Sequence, residues 1–373
     1  MRKLASIQQV EEILPIEGAD AIEKARIKGW WVVVKKSEFK PGDLCIYFEI
    51  DSLLPDIGEF TFLRRPLYEV FTAKGWETIS KEDFETFEGE KRQGFQKLKK
   101  QLLEDGKEVE GHRLKTIRLR GQISQGLALP FSAFQRFNEF KGLLLKLEDD
   151  MTDRIGVYKY EPPIPADLAG EAKGAVPSCI PKTDEERIQN VLGLLDFHKG
   201  KRFYCTIKLD GTSNTIYRYN EIFNGELGVC GHNWDFKESE KSIFWRFANK
   251  YNLKEKFPEG YAMQSECAGE GIRRNRQKLK QDLYVFYVFD IRKYQYLKLD
   301  DMKAFVKELG MKTVPIVDEN FVLNHTCDEL LKLADQTVVN GILQEGLVFR
   351  LYDSTDKISF KVISNEFLLK HGL

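Results

Sequence analysis

From Arg26 to Leu54 the chain reads RIKGWWVVVKKSEFKPGDLCIYFEIDSLL. Trp30 to Val34 is a β-rich run, KPGD has turn composition, and Leu44 to Ile50 is a second run. Two strands around a turn are predicted. Over residues 80–105 apolar residues recur among charges at helical spacing, which predicts one or two helices. The stretch LKTIRLRGQISQGLALP returns to strand-like alternation, broken at Gly121 and Gly126. Residues 1–150 therefore read as a small β-barrel domain carrying a helical insertion at about 65–112. Residues 151–176, rich in Pro, Gly and Ala (YEPPIPADLAGEAKGAVP), read as a linker.

The remainder, 177–373, alternates strand and helix patterns. Phe203–Lys208 and Thr215–Tyr219 are predicted to form a hairpin around Asp210-Gly211. Ser239–Tyr251, Leu299–Leu309 and Cys327–Val338 have helical character. Tyr261–Ala268 reads as a strand, and LYVFYVFDI (Leu283–Ile291) is apolar almost throughout, the mark of a strand buried on both faces. Gly346–Tyr352 and Ile358–Ile363 form a predicted closing pair. The fold class is α+β with antiparallel sheets.

At 373 residues, two domains are expected. No apolar run approaches the ~18 residues of a membrane span, and Glu11 and Glu12 interrupt the N-terminal segment too early for a signal-peptide core. Six cysteines, Cys45, Cys179, Cys205, Cys230, Cys267 and Cys327, lie scattered without C-x-x-C pairing. That pattern disfavours a disulfide framework or a zinc site and fits a reducing, cytoplasmic setting. Net charge is -1, so any polyanion contact must come from local clusters: FLRRPL, KRQGFQKLKKQ, HRLKTIRLRGQ and GIRRNRQKLKQD.

The segment FYCTIKLDGTSNT places a lysine at the end of an apolar strand. By strand alternation Ile207 and Leu209 point one way, Lys208 and Asp210 the other. One face thus carries an amine and a carboxylate, and Gly211 permits a tight turn. An amine acts as a nucleophile only when desolvation or nearby positive charge lowers its pKa. Downstream, MQSECAGEG ends a strand in Glu266, EGLVFR sets Glu345 before a strand, and ISFKVIS places Lys361 within one.

The order K-x-D-G, strand-terminal glutamate, aromatic FDI strand, E-G-L-V-F-R, strand lysine resembles the covalent nucleotidyltransferases, and among them the ATP-dependent RNA ligases. Ser213 stands where DNA ligases and capping enzymes carry arginine. IPKTDEERIQN (Ile180–Asn190) and the N-terminal segments resemble the Deinococcus and Naegleria type branch, in which an OB-like domain precedes the catalytic one. The resemblance spans nearly the whole chain except about 65–110. It implies an N-terminal OB-like β-barrel and a C-terminal nucleotidyltransferase (ATP-grasp-like ligase) domain of antiparallel sheets flanked by helices.

The implied reaction joins RNA 3′-OH and 5′-phosphate ends through lysyl-AMP and RNA-adenylate, using ATP and Mg²⁺ or Mn²⁺. RNA is the implied partner, with a nicked duplex as one substrate form, no membrane, and a monomer as the expected state. Lys208 is then the nucleophile. Asp210, Glu266 and Glu345 are the catalytic and metal-associated carboxylates. Lys361 contacts the α-phosphate and holds Lys208 deprotonated. Ile207, Gly211, Arg187, Glu266, Phe289 and Lys361 join Lys208 around the nucleotide, with Phe289 stacking on adenine.

Simpler readings stand beside these: core packing for Phe289, and a helix-surface ion pair with Glu185 or Glu186 for Arg187. Trp30 and Trp31 would point one into and one out of a barrel. Two positions depart from the family pattern: His232 occupies the place of an expected arginine, and Ile363 that of a second closing lysine. The competing functions are a DNA ligase, a GTP-using capping enzyme, and a non-catalytic nucleic-acid binder on the same fold.

Overall fold

The computed structural model describes residues 3–95, 98, 100–102, 108–134, 145–160, 170–220 and 225–373. The chain divides into two compact units, Met1–Pro163 and Ile164–Leu373.

In the first unit, Trp30, Val32 and Val34 are buried while Trp31 and Val33 are half-exposed, as a strand with one wet face requires. Trp30 enters the core. Trp31 lies outside, beneath Lys24 (4.8 Å) and Arg26 (5.1 Å), so the pair does point one in and one out. Mostly antiparallel strands fill this unit, but among the described residues their pairing does not close into a barrel. Glu12–Pro15, Ile22–Ile27 and Trp30–Lys35 form one sheet; Ala5–Gln9, Leu44–Phe48 and Leu127–Leu129 form another. A side chain helps bridge the open edge: Ser124 Oγ accepts from Val33 N (2.9 Å), and Gln125 N donates to the Trp31 carbonyl (2.9 Å).

The insertion is not mainly helical. Pro66–Thr72, Gly75–Ile79 and Lys91–Phe95 make a three-stranded antiparallel sheet, with one six-residue helix, Lys81–Thr86, capped by Ser80. The helical spacing is real around Phe84, which packs on Tyr68 at 5.1 Å. Beyond it, Lys91–Phe95 finds a partner strand some twenty residues upstream, and tertiary pairing overrides the local pattern. Residues 96–97, 99 and 103–107 of the insertion lie outside the described residues.

The predicted linker is structured at both ends. Thr152 begins a short helix and its Oγ1 accepts from Leu4 N (2.9 Å). Tyr158–Lys159 pairs with Ser52–Leu53, and Ala172–Ala175 pairs with the 234–236 strand. Residues 161–169 lie outside the described residues.

Among the described residues the second unit holds two large sheets and a two-stranded one, Val338–Val339 with Ile342–Leu343. The larger has the order 172–175, 234–236, 227–230, 212–218, 261–268, 282–290, 295–296, with Lys312–Thr313 parallel to the 282–290 strand. The smaller has the order 316–322, 202–208, 346–351, 359–363. Helices Ile243–Lys250 and Leu299–Glu308 bury Phe244, Phe247, Met302 and Val306 against the larger sheet. Helix Cys327–Gln336, closed by a Thr326–Glu329 capping box, covers the apolar side of the smaller one through Leu330 and Ala334.

The expected hairpin at Asp210-Gly211 does not form. Arg202–Lys208 pairs with 316–322 and 346–351, whereas Thr212–Arg218 pairs with 227–230 and 261–268. The turn carries the chain from one sheet to the other.

Candidate functional site

Lys208 ends its strand directly opposite Gly346. Ile207 (3 % exposed) and Leu209 (4 %) pack into the core with Phe203, Phe349 and Phe360, so Lys208 faces the other way. Its Nζ donates to Glu345 Oε1 at 2.7 Å. Glu345 immediately precedes the partner strand Gly346–Leu351, so strand pairing itself brings amine and carboxylate together.

Gly211 is fixed by close approach. A Cβ there would collide with the Cys267 carbonyl oxygen and meet Glu266 Cγ at 2.8 Å. Its bare backbone lets Glu266 reach the turn, and Ser213 stands opposite Glu266 in register. Asp210 is 7 % exposed; Arg276 Nη1 donates to its Oδ2 at 2.5 Å, and Arg273 Nη1 lies 3.8 Å from Oδ1.

Carboxylates dominate the electrostatics. Burial pulls the Lys208 pKa down, but Glu345, Glu266 and Asp210 outweigh it and leave it above the ordinary lysine value. Burial raises Glu266 to about 7; Lys208 opposes that rise and Glu345 adds to it. The expectation of an amine kept uncharged by cationic neighbours is therefore corrected: in the free protein its close neighbours are anions. Lys361 sits on the same face of the same sheet, two strands away. It pairs with Val348, which pairs with Thr206, two residues before Lys208.

That face is polar. Arg350 is 5 % exposed, bonds Thr206 Oγ1 at 2.9 Å, and lies 4.6 Å from the Tyr287 ring and 5.8 Å from the Phe286 ring of the larger sheet. Glu185 is held there by Tyr287 Oη (2.9 Å), by Ser359 Oγ and by Arg350 at 3.8 Å. Residues 181–186 are not helical and Arg187 has extended backbone, so the helix surface expected around Arg187 is absent. Arg187 instead forms a β-bridge with Lys361, flanked by the Lys361 N to Glu186 O bond of 2.8 Å. His232 Nε2 lies 3.6 Å from Asp184 Oδ2, beside the same segment.

Phe289 is 1 % exposed and packs against Tyr294 and Tyr296 at 5.2 and 5.0 Å, so the strand buries it as core. Phe286 is the one residue of Asp282–Asp290 that is not buried. The reason is a bulge: Gln264 pairs with Tyr287 and Ser265 with Val285, leaving Phe286 unpaired and re-aimed. The Ile207 side chain likewise belongs to the core.

The residues present fit a divalent cation. Glu345 Oε2 is buried and has no hydrogen-bond partner among the described residues. Glu266 and Glu345 crowd one amine, and their hard oxygens suit Mg²⁺ or Mn²⁺. Among the described residues no three His, Cys, Asp or Glu side chains are grouped to hold a metal by themselves, and Asp210 is committed to Arg276. An ion here needs water and phosphate oxygens to complete its shell.

Arg276 was visible beforehand only as part of a basic run, GIRRNRQKLKQD, and Phe286 only as part of a continuous apolar run. Neither pattern marks a side chain as facing the site.

Residues 4–79 and 67–131 match the PHA02142 OB-fold domain family, and residues 201–363 match the family RNA ligase. Among solved structures, Naegleria gruberi RNA ligase with PPi is 37% identical, covering 100% of this chain and 99% of that one with a TM-score of 0.79. A glutamate-to-alanine mutant of that ligase with AMP and Mn gives 37% identity, 100% and 99% coverage and a TM-score of 0.80. A lysine-to-alanine mutant with ATP and Mn gives 37%, 99% and 99% coverage, and 0.79. No curated protein matches the chain.

Proposed function

The chain belongs to the RNA ligase family, and on that premise we propose that it is an ATP-dependent ligase joining an RNA 3′-hydroxyl to a 5′-phosphate, with Lys208 as its nucleophile. The observation carrying this reading is Lys208 Nζ held 2.7 Å from Glu345 at the end of a rigid strand, with Glu266 brought to the same turn by Gly211.

Lys208, an ammonium in the free protein, first gives one proton to water, and the neutral Nζ then forms a bond to the α-phosphorus of ATP. The bond from that phosphorus to the bridging oxygen breaks, pyrophosphate leaves with the electron pair, and the amine gives a second proton to water. A 5′-phosphate oxygen of the RNA then bonds to the adenylate phosphorus as the bond to Lys208 Nζ breaks and the amine takes up a proton. Last, the 3′-hydroxyl oxygen bonds to the RNA 5′-phosphorus, its proton goes to water, and AMP leaves with the bridging oxygen. These transfers depend on positioning and charge neutralisation more than on acid–base chemistry. The protein supplies the positioning: strand pairing aims Lys208, and Glu345 holds it. Lys361, on the same face, is suited to the phosphate. Phe286 rather than Phe289 offers a ring to the base, and Arg187, bridged to Lys361, is suited to a nucleotide or 5′-phosphate.

A divalent metal bound beside Glu266 and Glu345 would neutralise triphosphate charge and release Lys208 from its ion pair. The homologue structures contain ATP or AMP with Mn, which supports both cofactors here. Repair of nicked RNA is the role that a ligase with an added OB-fold domain suits.

The test is incubation with α-labelled ATP and Mg²⁺ or Mn²⁺, followed by a denaturing gel. Wild-type protein is expected to retain label and Lys208→Ala none. Equal labelling of both would overturn the assignment. Labelled GTP separates the capping reaction, and nicks with RNA or DNA on each side define the substrate.

A further inference from the structure

Gln277 lies 4 % exposed at the point where the nucleophile strand leaves its sheet. Its Oε1 accepts from Asp210 N at 2.7 Å, and its Nε2 donates to the Lys208 carbonyl at 2.9 Å. The carbonyl of one residue and the N–H of the residue two further on project to the same strand edge. A carboxamide presents one acceptor and two donors, so it can serve both, as a neighbouring strand would. The second donor is used as well: Nε2 is 2.9 Å from Gln344 Oε1, and Gln344, itself 3 % exposed, precedes Glu345. One buried amide therefore touches the backbone of the nucleophile, the backbone of Asp210, and the residue next to the carboxylate that grips the nucleophile.

The segment carrying Gln277 is wound tightly. Arg273, Asn275 and Lys278 all have positive φ, at 46°, 40° and 52°. Non-glycine residues persist in that region only where surrounding contacts over-determine them. Asn275 supplies such contacts, through bonds to Leu279 O (3.0 Å) and from Leu279 N (2.8 Å). The adjacent Arg276 binds the Asp210 side chain, so residues 276 and 277 hold both main chain and side chain of Asp210.

We infer that Gln277 is a positioning residue for the first chemical step: it sets where Lys208 Nζ stands relative to Glu345 and thereby its line of approach to a phosphorus atom. This rests on the assignment of Lys208 as nucleophile. In-line attack tolerates little displacement, so loosening this amide costs rate without touching ATP itself.

The experiment compares two single-turnover rates in wild type, Gln277→Ala and Gln277→Glu. One is lysyl-AMP formation from ATP; the other is joining of RNA whose 5′ end already carries AMP, which does not call on Lys208 as nucleophile. Both variants are expected to slow lysyl-AMP formation about tenfold or more at saturating ATP, with KM for ATP unchanged and joining of the adenylylated RNA within about twofold of wild type. Gln277→Glu keeps the size and the acceptor for Asp210 N while losing both donors, and so remains informative if the alanine variant folds poorly. An equal fall in both rates assigns Gln277 a general structural role and overturns the inference, as does an unchanged lysyl-AMP rate. Lys208→Ala run in parallel separates the two ideas: label on that variant defeats the nucleophile assignment itself, whatever Gln277 does.

Discussion

Lys208 and Glu345 are 137 residues apart in sequence, yet their side chains meet at 2.7 Å because Lys208 pairs with Gly346 across two antiparallel strands. The contact ties the amine's charge to a carboxylate. Glu345→Gln removes one of the anions that raise the Lys208 pKa, which must then fall. In metal-free protein, labelling of Lys208 by an amine-reactive reagent at pH 8–9 is expected to be faster in the variant than in wild type. Slower or equal labelling would contradict the charge balance described here.

Glu266 is raised to about 7 from an ordinary 4.5. The folded state therefore holds its proton more tightly than the unfolded chain does. Below pH 4.5 the group contributes no difference. As pH rises toward 7 the unfolded chain releases the proton first, and the folded state loses up to about 3 kcal/mol relative to a residue that does not titrate. Glu266→Gln is expected to flatten that loss. Denaturant midpoints of both proteins at pH 5 and pH 8, without metal, measure it; parallel pH dependence would refute it.

Gly211→Ala forces a Cβ into the Cys267 carbonyl and the Glu266 side chain. A cost of about 1–3 kcal/mol is expected, together with loss of lysyl-AMP formation. Gly174→Ala, where nothing lies within 4 Å, serves as the control and should be near neutral. Thermal melts and adenylylation assays on the two variants test the contrast.

Phe286 and Phe289 occupy one strand with opposite fates. Phe289→Ala empties a packed site and is expected to cost about 3–5 kcal/mol of stability. Phe286→Ala should leave the melting temperature within a few degrees and raise KM for ATP. If Phe289→Ala instead alters KM with no loss of stability, the bulge assignment fails.

The sequence on its own determined most elements of the second unit, because apolar periodicity and turn residues are local signals. Tyr261–Ala268 is a strand with the bounds the pattern predicts, and Cys327, Leu299 and Gly346 begin elements where expected. It also determined that Lys208 points away from Ile207 and Leu209, since alternation is a property of the strand itself.

Tertiary structure decided the rest. Whether Thr212–Arg218 folds back on Arg202–Lys208 or joins another sheet depends on which edges are available, and no local pattern records that. The insertion became a sheet because Pro66–Thr72 offered it an edge, against its own helical spacing. Phe286 took the exposed place expected of Phe289 because a single unpaired residue shifts the count from the middle of the strand. Gln277 and Arg276 reached the turn that follows Lys208 only through a tightly wound segment whose course is fixed by packing. Pairing partners, register slips and close approaches are contacts between distant residues, and such contacts leave no periodic trace in the order of the amino acids.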